Sequence, residues 1–170
     1  MLVGDDHPRA CTGRRLIRLG LVRELSRPGA GGRSPVVLDP YASTPLSSAD
    51  RVAAEEGGLV AIDCSWNRLA SARSRPSSPD GPRGGLGRRL PMLLAANPQH
   101  FGRVGELNTV EALAAGLVVL GRRAEAEHLL QGFAGGPAFL AMNEERLARY
   151  VRARTAAGTL RAERQLFGGS

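Results

Sequence analysis

The chain has 170 residues, 42% of them hydrophobic, and its 23 basic and 16 acidic side chains leave a net charge of +7. That is room for one ordinary core, or for two small lobes sharing one, and it is too apolar for wholesale disorder. Every basic residue is arginine and lysine is absent; guanidinium grips phosphate in a bidentate fork, so the charge points to an anionic partner, nucleic acid first.

Cys11 and Cys64 stand far apart, and His7, His100 and His128 are scattered. Neither set has metal-ligand spacing or the density of a disulfide framework, so no metal is expected. Nothing resembles a signal peptide, and no apolar run approaches the ~18 residues that cross a bilayer. The expectation is a cytoplasmic protein without membrane attachment.

In chain order, Asp5-Asp6-His7-Pro8 reads as a polar turn before a helix capped by Thr12. Its apolar face draws on Leu16, Leu19 and Val22 or on Ile17, Leu21 and Leu25, and Arg9, Arg14, Arg15, Arg18 and Arg23 make its start and outer side basic. Free amides at a helix start add to the pull on an anion such as a carboxylate. Residues 26 to 35 are a Gly/Pro/Arg loop, and Pro35-Val36-Val37-Leu38-Asp39-Pro40 is a strand stopped by its own proline. A helix follows from Ser47 or Ser48 to Glu56, ended by Gly57-Gly58. The run Gly58 to Ile62 is the next strand, so strand, helix, strand predicts a parallel sheet.

That second strand opens into Asp63-Cys64-Ser65-Trp66, an acid, two small polar residues and the only tryptophan. Ligands of such sheets bind at the carboxyl ends of strands, which makes this stretch a candidate site. Between Ser71 and Gly87 a Ser/Pro/Gly/Arg sequence predicts a loop. Gly84-Gly85-Leu86-Gly87-Arg88 and Gly29-Ala30-Gly31-Gly32 lack the lysine and the strand-to-helix setting of a phosphate loop. Beyond this loop the pattern turns helical: a short helix over Leu90 to Ala96, then Thr109 to Gly121, Arg123 to Phe133, Pro137 to Arg154 and a last amphipathic piece from Leu160 to Phe167. The fold class is α/β, with a parallel-sheet lobe over 1–89 followed by an all-helical lobe over 90–170.

Five motifs in order resemble the ribosomal small-subunit RNA aminocarboxypropyltransferases. They are Asp6 to Leu16 (Asp-His-Pro-Arg-Ala-Cys-Thr-Gly-Arg-Arg-Leu) with Arg18-Leu19-Gly20-Leu21; Leu46-Ser47-Ser48-Ala49-Asp50-Arg51; Asp63-Cys64-Ser65-Trp66; Arg88-Arg89-Leu90-Pro91 with Leu94-Ala95-Ala96-Asn97-Pro98; and Thr109 to Ala115 (Thr-Val-Glu-Ala-Leu-Ala-Ala). The resemblance implies a SPOUT-like fold with a trefoil knot, and S-adenosyl-L-methionine as group donor. The implied reaction moves the 3-amino-3-carboxypropyl group to a modified pseudouridine of small-subunit rRNA during ribosome biogenesis.

By the same resemblance, Thr12 holds the carboxylate of the transferred group, and Ile62 meets the ribose through its main chain. Leu90 and Gly105 receive the adenine through their backbone, with Leu38 as a further wall, and Thr109 supplies a hydroxyl. Trp66 covers the sulfonium methyl, while Asp63 holds the amino group or accepts a proton from the base. Arg14, Arg15 and Arg88 face RNA phosphates. The expected partner is small-subunit rRNA or the pre-ribosomal small subunit, and the expected state is a monomer. Methyl transfer from the same donor, and non-catalytic rRNA binding by an assembly factor, are the alternatives. The sequence departs from the family pattern at Phe101-Gly102-Arg103-Val104-Gly105, where tyrosine, proline and a second aromatic are usual.

Overall fold

A computed structural model describes residues 12–25, 34–62 and 84–168. Helix α1 (Thr12–Arg18) ends in a Schellman motif: Leu21 N–H donates to Leu16 O, and Gly20 N–H to Ile17 O, around Gly20 at φ +68°. The apolar face expected to continue to Leu25 is therefore cut short. Leu16 is fully buried, whereas Leu19 is exposed.

Strands β1 (Val36–Leu38), β2 (Leu59–Ala61) and β3 (Leu86–Arg88) form a parallel sheet in the order β2-β1-β3. A 3-10 turn (Ser48–Asp50) and helix α2 (Arg51–Gly57) carry the crossover from β1 to β2. Central β1 is buried along its whole length, which is why it is Val-Val-Leu with no polar alternation. Strand β3 lies where a loop was expected. Gly87 within it and Gly85 just before it hide it from β propensity, and Gly85 follows from packing: a Cβ there would sit 2.5 Å from Val37 Cγ2 and 2.8 Å from Pro35 O.

Helices α3 (Thr109–Val119), α4 (Arg123–Leu130), α5 (Gly136–Ala153) and α6 (Ala156–Phe167) complete the elements among the described residues. A capping box starts α3: Asn108 Oδ1 accepts from Glu111 N–H, and Glu111 Oε2 accepts from Asn108 N–H, both at 2.9 Å. This helix packs against α1, β2, α4 and α5. Gly116 lets it close on the sheet, since a Cβ there would meet Leu59 Cδ2 at 2.8 Å. One apolar cluster runs from Leu16, Val36, Leu38 and Leu46 through α3 to Phe139, Tyr150 and Ala162, so the sheet and the helices share a core. Helix α6 docks through Thr159, Ala162 and Glu163, all buried.

The short helix expected over Leu90 to Ala96 is absent; this segment is extended. Pro91, read as a helix-start residue, instead lies in a strand-like run whose polar backbone groups are met by side chains from the helices. Among the described residues, no helix is long and apolar enough to cross a membrane, and no group of His, Cys, Asp and Glu could hold a metal ion.

Candidate active site

The sheet aligns three chain exits. In register, Leu38 lies between Ala61 of β2 and Arg88 of β3, so the residues that follow these strands, Asp39, Ile62 and Arg89, emerge at one carboxyl edge. Leu38, Ile62 and Leu90 are thus brought to the same side of the sheet although 52 positions separate the first from the last. The segment after β1 runs beside the exit of β3: Asp39 N–H donates to Arg88 O, Leu46 N–H to Arg89 O, and Arg89 N–H to Thr44 O. The carboxyl ends of parallel strands are where open α/β sheets bind their ligands.

From Arg89 onward the chain is gripped from the helical side. Arg89 Nη1 and Nη2 donate to Glu163 Oε1 and Oε2, both at 2.7 Å, and Glu163 Oε1 also accepts from Met92 N–H at 2.9 Å. The Glu163 hydrogen bond is the main reason the Arg89 pKa rises above its usual value, against the opposing effect of burial. The Asn143 amide takes the place of a neighbouring strand, accepting from Leu94 N–H at 2.9 Å and donating to Leu94 O at 2.8 Å. Tyr150 O–H donates to Met92 O, and burial, more than the nearby Glu163 charge, pushes its phenol pKa up. Glu111, already half of a capping box, accepts from Ala96 N–H at 2.8 Å and Asn97 Nδ2 at 2.7 Å.

The same segment then doubles back. Ala95 N–H donates to Arg103 O, Gly102 N–H to Ala95 O and Gly105 N–H to Leu93 O, so Gly105 returns to within three residues of Leu90 along the paired chain. Gly105 sits at φ +77° with no atom within 4 Å of where a Cβ would be, an open backbone position. Thr109 is the first residue of α3 and half-buried, and Thr12 is the first of α1, which packs on α3. Asp63 and Trp66 lie outside the described residues.

The three arginines expected at phosphates differ. Arg14 is exposed. Arg15 donates from Nη2 to Gly132 O at 2.7 Å and lies 4.9 Å over the Phe133 ring, tying α1 to the turn before α5. Arg88 donates from Nε to Asp50 Oδ1 at 2.9 Å and from Nη1 to Gly87 O. Asp50 is itself buried and accepts from Ser47 N–H, so much of the Arg88 guanidinium is committed to the fold.

Glu111, Asn143, Tyr150 and Glu163 were not singled out from sequence as site residues. Only Glu111 left a signal there, as an acid in the first turn after a capping residue; its second set of partners, 14 and 15 positions upstream, did not.

Three comparisons bear on this geometry. The profile of a family described as "Ribosome biogenesis protein, C-terminal" matches residues 36–167. The chain is 46% identical over 168 residues to the 16S rRNA aminocarboxypropyltransferase of Methanopyrus kandleri, covering 96% of this chain and 94% of that protein. It is 41% identical over 149 residues to the 18S rRNA aminocarboxypropyltransferase of Schizosaccharomyces pombe, covering 88% of this chain and 49% of that longer protein. Its structure is similar to that of the SAM-dependent rRNA:acp-transferase of Vulcanisaeta distributa, with TM-score 0.78 and 34% identity over 99% of this chain and 95% of the other.

Proposed function

The chain belongs to the ribosome-biogenesis family of rRNA aminocarboxypropyltransferases, and on that premise we propose that it transfers the 3-amino-3-carboxypropyl group of S-adenosylmethionine to a modified pseudouridine of small-subunit rRNA. The observation that carries the reading is the match to the Methanopyrus kandleri transferase along nearly the whole of both chains. The aligned strand exits give it a physical basis, because they bring Leu38, Ile62 and Leu90 to one edge.

The residues fit such a donor. A nucleoside sulfonium with an amino-acid tail needs main-chain groups for its base and ribose and polar groups for its tail. Gly105 offers an open backbone, and the Leu90 carbonyl already accepts from Arg89 Nη1 at 3.1 Å, so we assign the Leu90 amide to the adenine. Ile62 meets the ribose through its main chain, and Leu38 is a further wall beside the adenine. Thr109 supplies a hydroxyl, and Thr12, at the start of α1, holds the tail carboxylate. Asp63 holds the amino group or takes the proton from the base.

Sulfonium donors carry three carbons open to attack, and the protein selects the product by fixing which one meets the nucleophile in line. Trp66 covers the methyl and leaves the tail's methylene to the ring nitrogen of the acceptor. The new nitrogen–carbon bond forms as the carbon–sulfur bond breaks, the electron pair returns to sulfur, the ring nitrogen's proton passes to Asp63 or, where Asp63 holds the amino group, to water, and methylthioadenosine leaves. Arg14, Arg15 and Arg88 supply positive charge toward RNA phosphates. Residues 1–89 and 90–170 act as two lobes around this site, with the trefoil knot that the family resemblance implies, in a cytoplasmic monomer that works on rRNA or the pre-ribosomal small subunit.

The test is incubation with small-subunit rRNA and donor labelled either in the carboxyl carbon or in the methyl. Carboxyl label enters RNA on this reading. Methyl label in RNA, or RNA binding with neither label, contradicts it.

A further inference from the structure

We propose that the groove between α5 and α6 is a second rRNA-phosphate site, separate from the sheet edge. The proposal rests on rRNA being the acceptor. Residues 146–165 hold six arginines and one glutamate, a net of +5 out of the chain's +7. That one glutamate, Glu163, is buried against Arg89 and offers the surface no compensating charge.

The fold brings three of these arginines, Arg149, Arg152 and Arg161, to one opening. After α5 the chain turns through Arg154 at φ +60°, and α6 starts with Thr155 Oγ1 accepting from Gly158 N–H at 3.1 Å. Gly158 is packed so closely that a Cβ would sit 2.4 Å from Ala153 O. With Ala162, it makes a small-residue floor beneath an open groove of about 470 Å³ rimmed by Arg149, Arg152, Arg161 and Gln165. Guanidinium groups over a floor without bulk let a sugar-phosphate backbone approach closely, and a glutamine amide adds a neutral donor.

The present partners of these arginines are weak. Arg149 pairs with exposed Glu145 one turn away, Arg152 donates to Ala148 O at 3.2 Å, and Arg161 has no acidic partner among the described residues. Exposed pairs within a helix are worth a few tenths of a kcal/mol, so phosphate displaces them at little cost. The groove also shares α6 with Glu163, which clamps the chain beside Leu90. RNA held here lies on the same helix that, through Glu163, positions the chain beside Leu90.

The experiment compares the full-length protein with Arg149→Gln/Arg152→Gln/Arg161→Gln, measuring affinity for small-subunit rRNA across a salt series. The expected result is about tenfold weaker binding at 0.1 M salt and a log-affinity slope against log salt shallower by about 2, since each phosphate contact contributes about 0.7 to 0.9. Affinity for S-adenosylmethionine alone and the melting temperature stay as in wild type, and the triple lysine variant keeps the wild-type slope. A control losing equal charge elsewhere, Arg103→Gln/Arg122→Gln/Arg123→Gln, changes the slope by less than about 1. Unchanged rRNA binding in the groove variant overturns the proposal and is also what a groove serving a ribosomal protein would give. So does an equal loss in the control, or a wild-type protein that does not bind rRNA. If wild type binds rRNA but transfers no carboxyl label, the catalytic reading fails while the groove is still judged by the binding series.

Discussion

The Arg89–Glu163 and Arg123–Glu144 pairs share a geometry. Both are two-pronged guanidinium–carboxylate contacts with a closest approach of 2.7 Å. They differ in burial: the Glu163 side chain is 4% exposed and that of Glu144 is 55%. Glu163 has given up its water and depends on Arg89 and the Met92 amide, so removing one partner strands the other in a poorly hydrated place. Glu144 keeps its water and exchanges one solvated state for another. The buried pair also holds the chain that carries Leu90, whereas the surface pair joins only α4 to α5. Polar contacts in this molecule matter in proportion to what they exclude from solvent, and those of Glu111, Asn143 and Glu163 converge on the segment from Arg89 to Asn97.

Four substitutions sharpen that comparison. The largest effect is expected from Glu111→Ala, which strips a helix cap, leaves Ala96 N–H and Asn108 N–H without their acceptor and takes from Asn97 Nδ2 the shorter of its two bonds. Urea denaturation should show a loss of about 3 to 5 kcal/mol. Next, Glu163→Gln leaves the Arg89 guanidinium without counter-charge. With Arg89 still 23% exposed the cost is about 2 to 4 kcal/mol, and calorimetric affinity for S-adenosylmethionine should fall as Leu90 loosens.

Tyr150→Phe removes one hydrogen bond to Met92 O and should cost about 1 kcal/mol at neutral pH. Its pH dependence has a definite sign. The folded phenol resists ionisation because burial raises its pKa above the usual 10.0. Its contribution is complete below pH 10 and is lost as pH rises beyond it, because the unfolded chain ionises first. Melting curves should therefore fall less steeply above pH 10 in the phenylalanine variant than in wild type. The smallest effect belongs to Glu144→Gln. The Arg123 hydrogen bond lowers the Glu144 pKa, so any contribution is present above the usual carboxylate pKa of 4.5 and fades as pH drops through the folded value. At this exposure, stability at pH 7 should stay within about 0.5 kcal/mol of wild type. A Glu144 effect as large as that of Glu163 would break the comparison.

What the sequence made legible follows the same division. β1, α2 and β2 could be read because apolar runs, a capping serine and paired glycines act over a few residues. Helices α3 to α6 could be read from 3.6-residue periodicity. β3 could not, because Leu86-Gly87-Arg88 owes its strand to the space beside Val37, which only the folded sheet defines. The extended run after Arg89 was taken for a helix on local composition. Its backbone partners include Asn143, Tyr150 and Glu163, 49 to 71 positions away, and no local pattern encodes them. For the candidate site, the motif resemblance supplied Leu38, Ile62, Leu90 and Gly105 as separate points. The parallel register and the return of Gly105 to Leu93 join them into one edge. The resemblance assigns Arg15 and Arg88 to RNA phosphates; their bonds to Gly132 and Asp50 depend on chain crossings invisible in sequence.

Backbone amide hydrogen exchange with and without S-adenosylmethionine tests most directly the claim that the donor lies along the carboxyl edge and the clamped segment. Donor binding should add protection in peptides containing Ile62, Leu90, Gly105 and Thr109. The Ala96 amide, already bonded to Glu111, should change little. Protection confined to the α5–α6 groove, or none at Leu90 and Gly105 at saturating donor, would contradict the account.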